Sequence, residues 1–114
     1  MKTPYFDQST TVTVAAGASL SGAAALRELK LLAVITAATW DTNAITFQAS
    51  FDGTNFFNVW NDSGEYSIAA VPASTYVAIN PMYFLGARSI KVRSGTSAAA
   101  VNQVDATIVT LVVT

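Results

Sequence analysis

The sequence contains no cysteine and no histidine among its 114 residues. The absence of cysteine excludes disulfides and thiolate metal sites. The absence of histidine removes the side chain that most often serves as a general base or metal ligand near neutral pH. The most hydrophobic run, residues 31–35, is far shorter than the roughly 20 residues that a membrane-spanning helix needs. The polar start, MKTPYFDQST, lacks the apolar region of a signal peptide. We therefore expect no membrane partner.

Charge is also scarce, with 13 of 114 residues charged (11%) and 52% hydrophobic, whereas an average soluble domain has about 25% charged residues. So few charges make it difficult to keep the whole surface of a small domain free of apolar patches. One interpretation is a β-protein whose surface is rich in Thr, Ser and Asn. The other is a surface that copies of itself or a partner cover. A net charge of −1 gives no reason to expect the basic face that usually marks nucleic-acid binding, so no nucleic-acid partner is expected.

Alternating apolar and polar residues predict β-strands over most of the chain. In residues 44–60, AITFQASFDGTNFFNVW, the alternation around Phe47 indicates one strand, Asp52-Gly53 a tight turn, and the following aromatics a second strand. Further strands are predicted at residues 10–15, 65–70, 75–80, 88–94 and 106–114. The last is apolar on nearly both faces, which indicates a central strand or an interface. Trp40 is expected to fill the core.

Residues 23–35, AAALRELKLLAVI, are ambiguous. Their helix propensity is high, yet apolar residues alternate from Leu29 to Ile35. We predict a strand, with a helical turn over residues 23–27 left open. About eight short strands in one domain predict an all-β fold, a single antiparallel β-sandwich that is jelly-roll-like. Residues 1–9 are expected to form an extended arm, because Pro4 prevents a regular start, and residues 10–114 the sandwich.

Three segments of the chain are distinctive: FLGAR (84–88), IKVRSGT (90–96) and VNQ (101–103). In these segments, and more weakly over roughly residues 20–113, the sequence resembles small β-sandwich auxiliary capsid proteins of tailed bacteriophages and prophages, also called decoration or cement proteins. The resemblance implies a virion structural role without enzymatic activity, often as trimers seated on the outer capsid shell. The implied partners are the major capsid protein and the chain itself. The implied location is the capsid surface, after synthesis in the host cytoplasm.

The arm before Thr10 and the last strand are candidate contact surfaces, and two further segments are candidate protein interfaces. The apolar, irregular segment that contains Met82, Tyr83, Phe84 and Leu85 must pack or be covered. Arg88, Lys91 and Arg93 are half of the six basic residues, and Lys91 and Arg93 take outward positions of one predicted strand. They indicate either a solvated strand face that prevents edge aggregation or a docking face for acidic groups.

The remaining candidate sites have simpler structural explanations. Six of the seven acidic residues fall mostly in predicted turns, so we predict no catalytic residues. These six are Asp7, Asp41, Asp52, Asp62, Glu65 and Asp105. Asp52, Asn55, Asp62 and Glu65 offer oxygen ligands for Ca²⁺ but lack EF-hand spacing, so no metal and no cofactor are expected. The SFDG hairpin (50–53) is similar to that of galactose-binding-like jelly rolls, including carbohydrate-binding modules. An alternative function is therefore sugar binding on an aromatic platform chosen from Trp40, Trp60, Tyr66, Tyr76 and Tyr83.

Overall fold

The computed structural model describes residues 8–114, which form eleven β-strands and one short 3₁₀ helix. The predicted arm, residues 1–9, falls mostly outside the described residues, and Ser9 begins the first strand. The strands are β1 Ser9–Val14, β2 Ala24–Ala25, β3 Leu31–Thr36, β4 Asn43–Ser50, β5 Phe57–Asn58, β6 Trp60–Asn61, β7 Gly64–Glu65, β8 Ile68–Val71, β9 Tyr76–Ala78, β10 Ser89–Ser94 and β11 Thr107–Val113. The 3₁₀ helix spans Pro81–Phe84.

The strands form two antiparallel sheets and a small hairpin. The first sheet has the order β1-β11-β3-β9, and the second has the order β2-β10-β4-β5. Strand β8 also pairs with β4, at Ile45↔Ile68, so β5 and β8 follow one another along the same edge of β4. Strands β6 and β7 form a separate hairpin.

The connections between the sheets are those of a jelly roll. Strands β5, β6 and β7 are an insertion between β4 and β8. Without them, a sheet of order β1-β11-β3-β9 faces a sheet of order β2-β10-β4-β8, and the chain passes back and forth between the two. This arrangement of eight strands in two sheets is the jelly-roll wiring. The prediction of a single antiparallel, jelly-roll-like β-sandwich is confirmed.

The core lies between the sheets and is filled by the inward-facing residues of both. Phe47 is fully buried, and its ring packs against those of Phe84 and Tyr66, at centroid distances of 5.0 and 5.9 Å. Trp40 is 2% exposed and donates from Nε1 to the carbonyl oxygen of Val71 at 3.0 Å. The prediction that Trp40 fills the core is confirmed, and its only polar atom is satisfied there.

Three local predictions can be compared with the structure. Residues 23–35 contain strands β2 and β3 around a turn with Arg27 at φ +59°, and no helix. Strand β11 lies between β1 and β3, so its two apolar faces fit a central strand. The turn after β4 is longer than a two-residue hairpin, because pairing resumes only at Ala49↔Phe57. Among residues 8–114, no helix has the length and apolarity needed to cross a membrane.

Candidate docking surface

Six large apolar side chains are exposed around two adjoining grooves, and we call this group the apolar patch. Their exposed fractions range from 37% for Tyr83 to 72% for Met82. One groove, of about 340 Å³, contains Phe51, Phe57 and Leu85 in its lining, and the other, of about 410 Å³, contains Trp60 and Met82. Tyr83 lines both grooves, which makes the patch continuous. It consists of Phe51, Phe57, Trp60, Met82, Tyr83 and Leu85.

The 3₁₀ helix Pro81–Phe84 determines which residues of its segment face outward. The Asn80 side-chain oxygen accepts from the Met82 amide at 3.1 Å, and Pro81 begins the helix with a φ already suited to it. Phe84 turns into the core, whereas its neighbours Tyr83 and Leu85 remain exposed. Phe84, which the sequence assigned to the candidate interface, is therefore placed in the core of this chain, where its ring fills space beside Phe47 and Tyr66.

The loop at residues 51–56 carries Phe51 into the patch and is held by one carboxylate. Asp52 Oδ1 accepts from the amides of Thr54 and Asn55 at 2.8 and 2.9 Å, and Asp52 Oδ2 accepts from the Asn55 side chain at 2.9 Å. The Ser50 hydroxyl donates to Asp52 Oδ1 at 2.9 Å. These hydrogen bonds, led by that from the Asn55 amide, hold the pKa of Asp52 well below its ordinary value. The ionised carboxylate thus organises the loop beside the patch.

The predicted basic docking face is divided by the fold. Arg93 is 7% exposed, and its Nη1 lies 3.3 Å from Glu65 Oε2. The same guanidinium donates to Thr46 Oγ1 at 3.3 Å and to Asn58 Oδ1 at 2.8 Å. Arg93, which the sequence assigned to the candidate interface, is therefore nearly buried and engaged by groups of its own chain. Although it faces away from the core, the chain around Glu65 covers that part of the sheet.

Lys91 and Arg88 have different surroundings. Lys91 is half-buried, and its Nζ lies 4.5 Å from the centroid of the Phe56 ring, a cation–π contact. Arg88 is exposed and lines a cleft with Arg27 and Lys30 on the neighbouring turn. Among residues 8–114, the exposed basic side chains are those of Arg27, Lys30 and Arg88. We call the cleft that they line the basic cleft. It shares Leu85 with the apolar patch.

The outer face of the first sheet is the second notable surface, and we call it the neutral face. None of the four strands β1, β3, β9 and β11 contains a charged residue. The strand register aligns Thr11, Thr110, Ile35 and Tyr76 in one row across the sheet. The neighbouring rows add Ser9, Thr13, Ala78, Ile108 and Val112 to the same face.

The residues of the predicted aromatic platform do not come together as one surface. Trp40 is buried, Tyr76 lies on the first sheet, and Tyr66 stacks on Phe47. Burial raises the pKa of Tyr66 above its ordinary value. The rings of Tyr66 and Tyr83 are in contact, at a centroid distance of 4.8 Å. Trp60 and Tyr83 line one groove, together with Asn61, Asp62 and Ser63.

The acidic residues are likewise dispersed. Asp41 precedes β4 and accepts the Val104 amide on Oδ2 at 2.9 Å, whereas Asp52 follows the other end of β4. Glu65 is bound to Arg93 and also accepts the Ser97 amide, while Asp62 and Asp105 are exposed. Asp7 lies outside the described residues. Among residues 8–114, no three acidic side chains are grouped closely enough to hold a metal ion.

Phe51, Phe57 and Trp60 are patch residues that the sequence reading did not assign to an interface. One signal was available, because consecutive residues of a strand point to opposite faces. Phe56 and Phe57 therefore cannot both face the core. A scan of protein-family models and a search of curated protein sequences find no match to this chain.

Proposed function

We propose that this protein is a non-enzymatic structural component of a phage virion, a decoration protein that binds the outer capsid shell and stabilises it. The observation that carries this proposal is the apolar patch on a chain with 11% charged residues. Soluble monomers rarely expose large contiguous apolar patches without a partner. Aromatic residues and Met are also enriched at the centres of protein interfaces, and the patch contains four aromatic side chains and one Met. The resemblance of residues 84–103 to decoration proteins supports the same role.

The mechanism would be adhesive. Burial of the patch against the major capsid protein removes apolar surface from water, at about 25 cal/mol per Å². Because a ligand that binds only the assembled state stabilises that state by mass action, many such copies would raise the resistance of the shell to heat and pressure.

Self-association belongs to the same proposal. The neutral face offers Thr and apolar side chains with no charge to desolvate, which suits contact with sister subunits. A closed trimer would match a site where several capsid subunits meet. Light scattering should then give the mass of a trimer, and Ile108→Lys, which places a charge on this face, should give a monomer. A wild-type monomer at all concentrations would contradict self-association.

The test of shell binding is co-sedimentation with capsids that lack this protein. Wild-type protein should bind saturably, and a double variant, Met82→Ser with Leu85→Ser, should bind at least about tenfold more weakly. Both side chains are exposed, so their loss should leave the fold intact. Val104→Ser is the matched control, since Val104 is 75% exposed but lies outside the patch. Absence of wild-type binding, or equal losses in both variants, would contradict the proposal.

A carbohydrate-binding module is the second candidate, because Trp60 and Tyr83 share their groove with the polar side chains of Asn61, Asp62 and Ser63. Aromatic faces with nearby hydrogen-bonding groups suit sugar rings. Trp60 is exposed and Trp40 is buried, so glycan binding should change only the Trp60 fluorescence. A saturable change that disappears in Trp60→Phe would favour this function, and no change across a glycan panel would exclude it.

A further inference from the structure

The basic cleft concentrates positive charge on a chain whose net charge is −1. The cleft has a volume of about 460 Å³ and lies between residues 27–30 and 84–88. Arg27, Lys30 and Arg88 line it together with one acidic residue, Glu28, and all four are exposed. Three of the six basic residues of the chain therefore surround one cleft.

Backbone hydrogen bonds bring these three cations together. The amides of Leu26 and Arg27 both donate to the Arg88 carbonyl oxygen, at 2.7 and 3.2 Å. On its other side the Arg88 amide donates to the Ser50 carbonyl oxygen at 2.7 Å. Lys30 is fixed by reciprocal backbone hydrogen bonds with Thr114, at 2.7 and 3.0 Å. The three side chains therefore extend from backbone that is anchored in the sandwich.

Arg27 occupies a conformation that an arginine rarely adopts. Its φ of +59° lies in the left-handed region, where a side chain is sterically disfavoured. The turn closes with the Leu29 amide donating to the Leu26 carbonyl oxygen at 3.0 Å. Glycine would fit the same turn without strain, so folding alone does not require an arginine there.

None of the three cations of the cleft forms an ion pair within the described part of the chain. Across residues 8–114, the ion pair within 4.0 Å is that of Arg93 with Glu65, and it lies outside the cleft. Arg27, Lys30 and Arg88 thus retain their capacity to pair with carboxylates from another molecule.

Apolar side chains line the cleft between its charged residues. Leu29 is half-buried, Phe84 lies beneath the surface, and Leu85 is exposed and continues into the apolar patch. A nucleic acid would need several phosphate contacts, whereas this cleft offers three cations and places Glu28 among them. A ligand that carries carboxylates next to an apolar side chain would complement both the basic and the apolar residues of the lining.

We propose that the basic cleft binds an acidic chain segment of a protein partner. Carboxylates of the segment pair with Arg27, Lys30 and Arg88, and an apolar side chain of the segment packs against Leu29 and Leu85. This inference deepens the proposed function and rests on it for the identity of the partner. The acidic segment would belong to the capsid shell. The charged contacts would fix the orientation of docking, while the apolar patch supplies most of the buried area.

The test is titration of the isotope-labelled protein with a blocked peptide, Gly-Glu-Leu-Asp-Glu-Leu-Gly, followed by amide chemical shifts. A neutral peptide with Gln and Asn in place of the acidic residues is the matched ligand. We expect shifts at residues 27–30 and 84–88 with the acidic peptide. Binding should weaken about tenfold when salt rises from 0.05 to 0.5 M, since salt screens exposed charges. Arg88→Glu should also weaken it about tenfold.

Two further variants make the outcome decisive. Arg27→Gly removes one positive charge, and glycine adopts the positive φ of this turn without strain. This variant therefore tests the role of the charge in peptide binding even if Arg88→Glu fails to fold. Lys91→Glu reverses a charge on β10 outside the cleft and should leave binding unchanged. The proposal is overturned by shifts elsewhere, by equal binding of the neutral peptide, or by no binding at about 5 mM peptide. Tighter binding of a single-stranded oligonucleotide in the same cleft would overturn it as well.

The peptide experiment uses the protein without capsids, so its failure is distinguishable from failure of the proposed function. Peptide binding in the cleft without capsid binding would contradict the decoration role and leave the ligand chemistry standing. Capsid binding without peptide binding would contradict only the acidic-segment inference.

Discussion

The guanidinium of Arg93 donates to the carboxylate of Glu65 at 3.3 Å, and this contact joins two distant parts of the chain. Arg93 belongs to β10 and Glu65 to β7, the second strand of the small hairpin. The other carboxylate oxygen of Glu65 accepts the Ser97 amide at 3.1 Å. One side chain therefore ties the hairpin to the second sheet and to the loop that follows β10.

Glu65→Gln should destabilise the fold by about 2–4 kcal/mol, because it leaves the charge of Arg93 without its counter-ion in a nearly buried position. Urea unfolding measures the effect. Asp62→Asn removes one negative charge from the exposed turn of the same hairpin and should change stability by less than about 0.5 kcal/mol. Equal effects of the two variants would show that the ion pair is not what holds the hairpin.

Phe84→Ala and Leu85→Ala should have opposite consequences although the residues are adjacent. Phe84 is buried against Phe47, so its truncation should cost about 3–5 kcal/mol through lost burial and a cavity. Leu85 is 58% exposed, so its truncation should cost less than about 1 kcal/mol and instead weaken capsid binding. Thermal unfolding and co-sedimentation together check both parts. A large stability loss in Leu85→Ala would contradict its place in the docking surface.

Gly95→Ala should be among the most damaging small substitutions. A Cβ at Gly95 would lie 2.5 Å from the Ala99 carbonyl oxygen and 2.7 Å from the Val101 amide nitrogen, at a φ of +87°. We expect a loss of more than about 2 kcal/mol in the free energy of unfolding. Gly17→Ala has a similar φ, +75°, but open space around the Cβ, and should cost about 1 kcal/mol. Equal losses would show that backbone strain, not the close approach, limits position 95.

The loop at residues 51–56 should keep its structure at acidic pH. The pKa of Asp52 is depressed by its hydrogen bonds, so the charged form is favoured when the loop is folded. The stabilisation is present above the unfolded aspartate pKa of about 3.9 and is lost as pH falls through the lower, folded pKa. The amide shifts of Thr54 and Asn55, recorded from pH 7 to pH 2, should therefore change only below about pH 3.

The Met82 amide is a useful control in that titration, because it is held by the Asn80 side-chain amide, which does not ionise. Its shift should stay constant over the same range. A midpoint near pH 4 for Thr54 and Asn55 would contradict the hydrogen-bonded role of Asp52.

Alternation in the sequence was sufficient to find the long strands. The predicted strands at residues 10–15, 88–94 and 106–114 correspond to Ser9–Val14, Ser89–Ser94 and Thr107–Val113. In each, inward and outward positions follow a period of two, which is a local property of the backbone.

The docking residues depend on contacts that alternation does not contain. The period of two correctly predicts that Arg93 points away from the core. The residue that pairs with it and helps to bury it, Glu65, belongs to a hairpin 28 positions earlier in the sequence. Phe84 lies in a 3₁₀ helix, to which a strand period does not apply. Arg27 and Arg88 are brought together by a backbone hydrogen bond between residues more than sixty positions apart in the sequence. Such long-range contacts determine the docking surface, and a reading of adjacent residues does not reveal them.

The jelly-roll wiring has a practical consequence for attaching cargo. The basic cleft lies where β3 and β10 begin and β4 ends, whereas residues 95–100 and Asp41 lie at the other end of those strands. A protein that docks through the cleft presents this other end to solvent. The tip at Ser97 and Ala98 is exposed, so a dye or an inserted epitope there would be displayed outward. A label near Lys30 or Thr114, which are joined by backbone hydrogen bonds beside the cleft, would instead obstruct attachment.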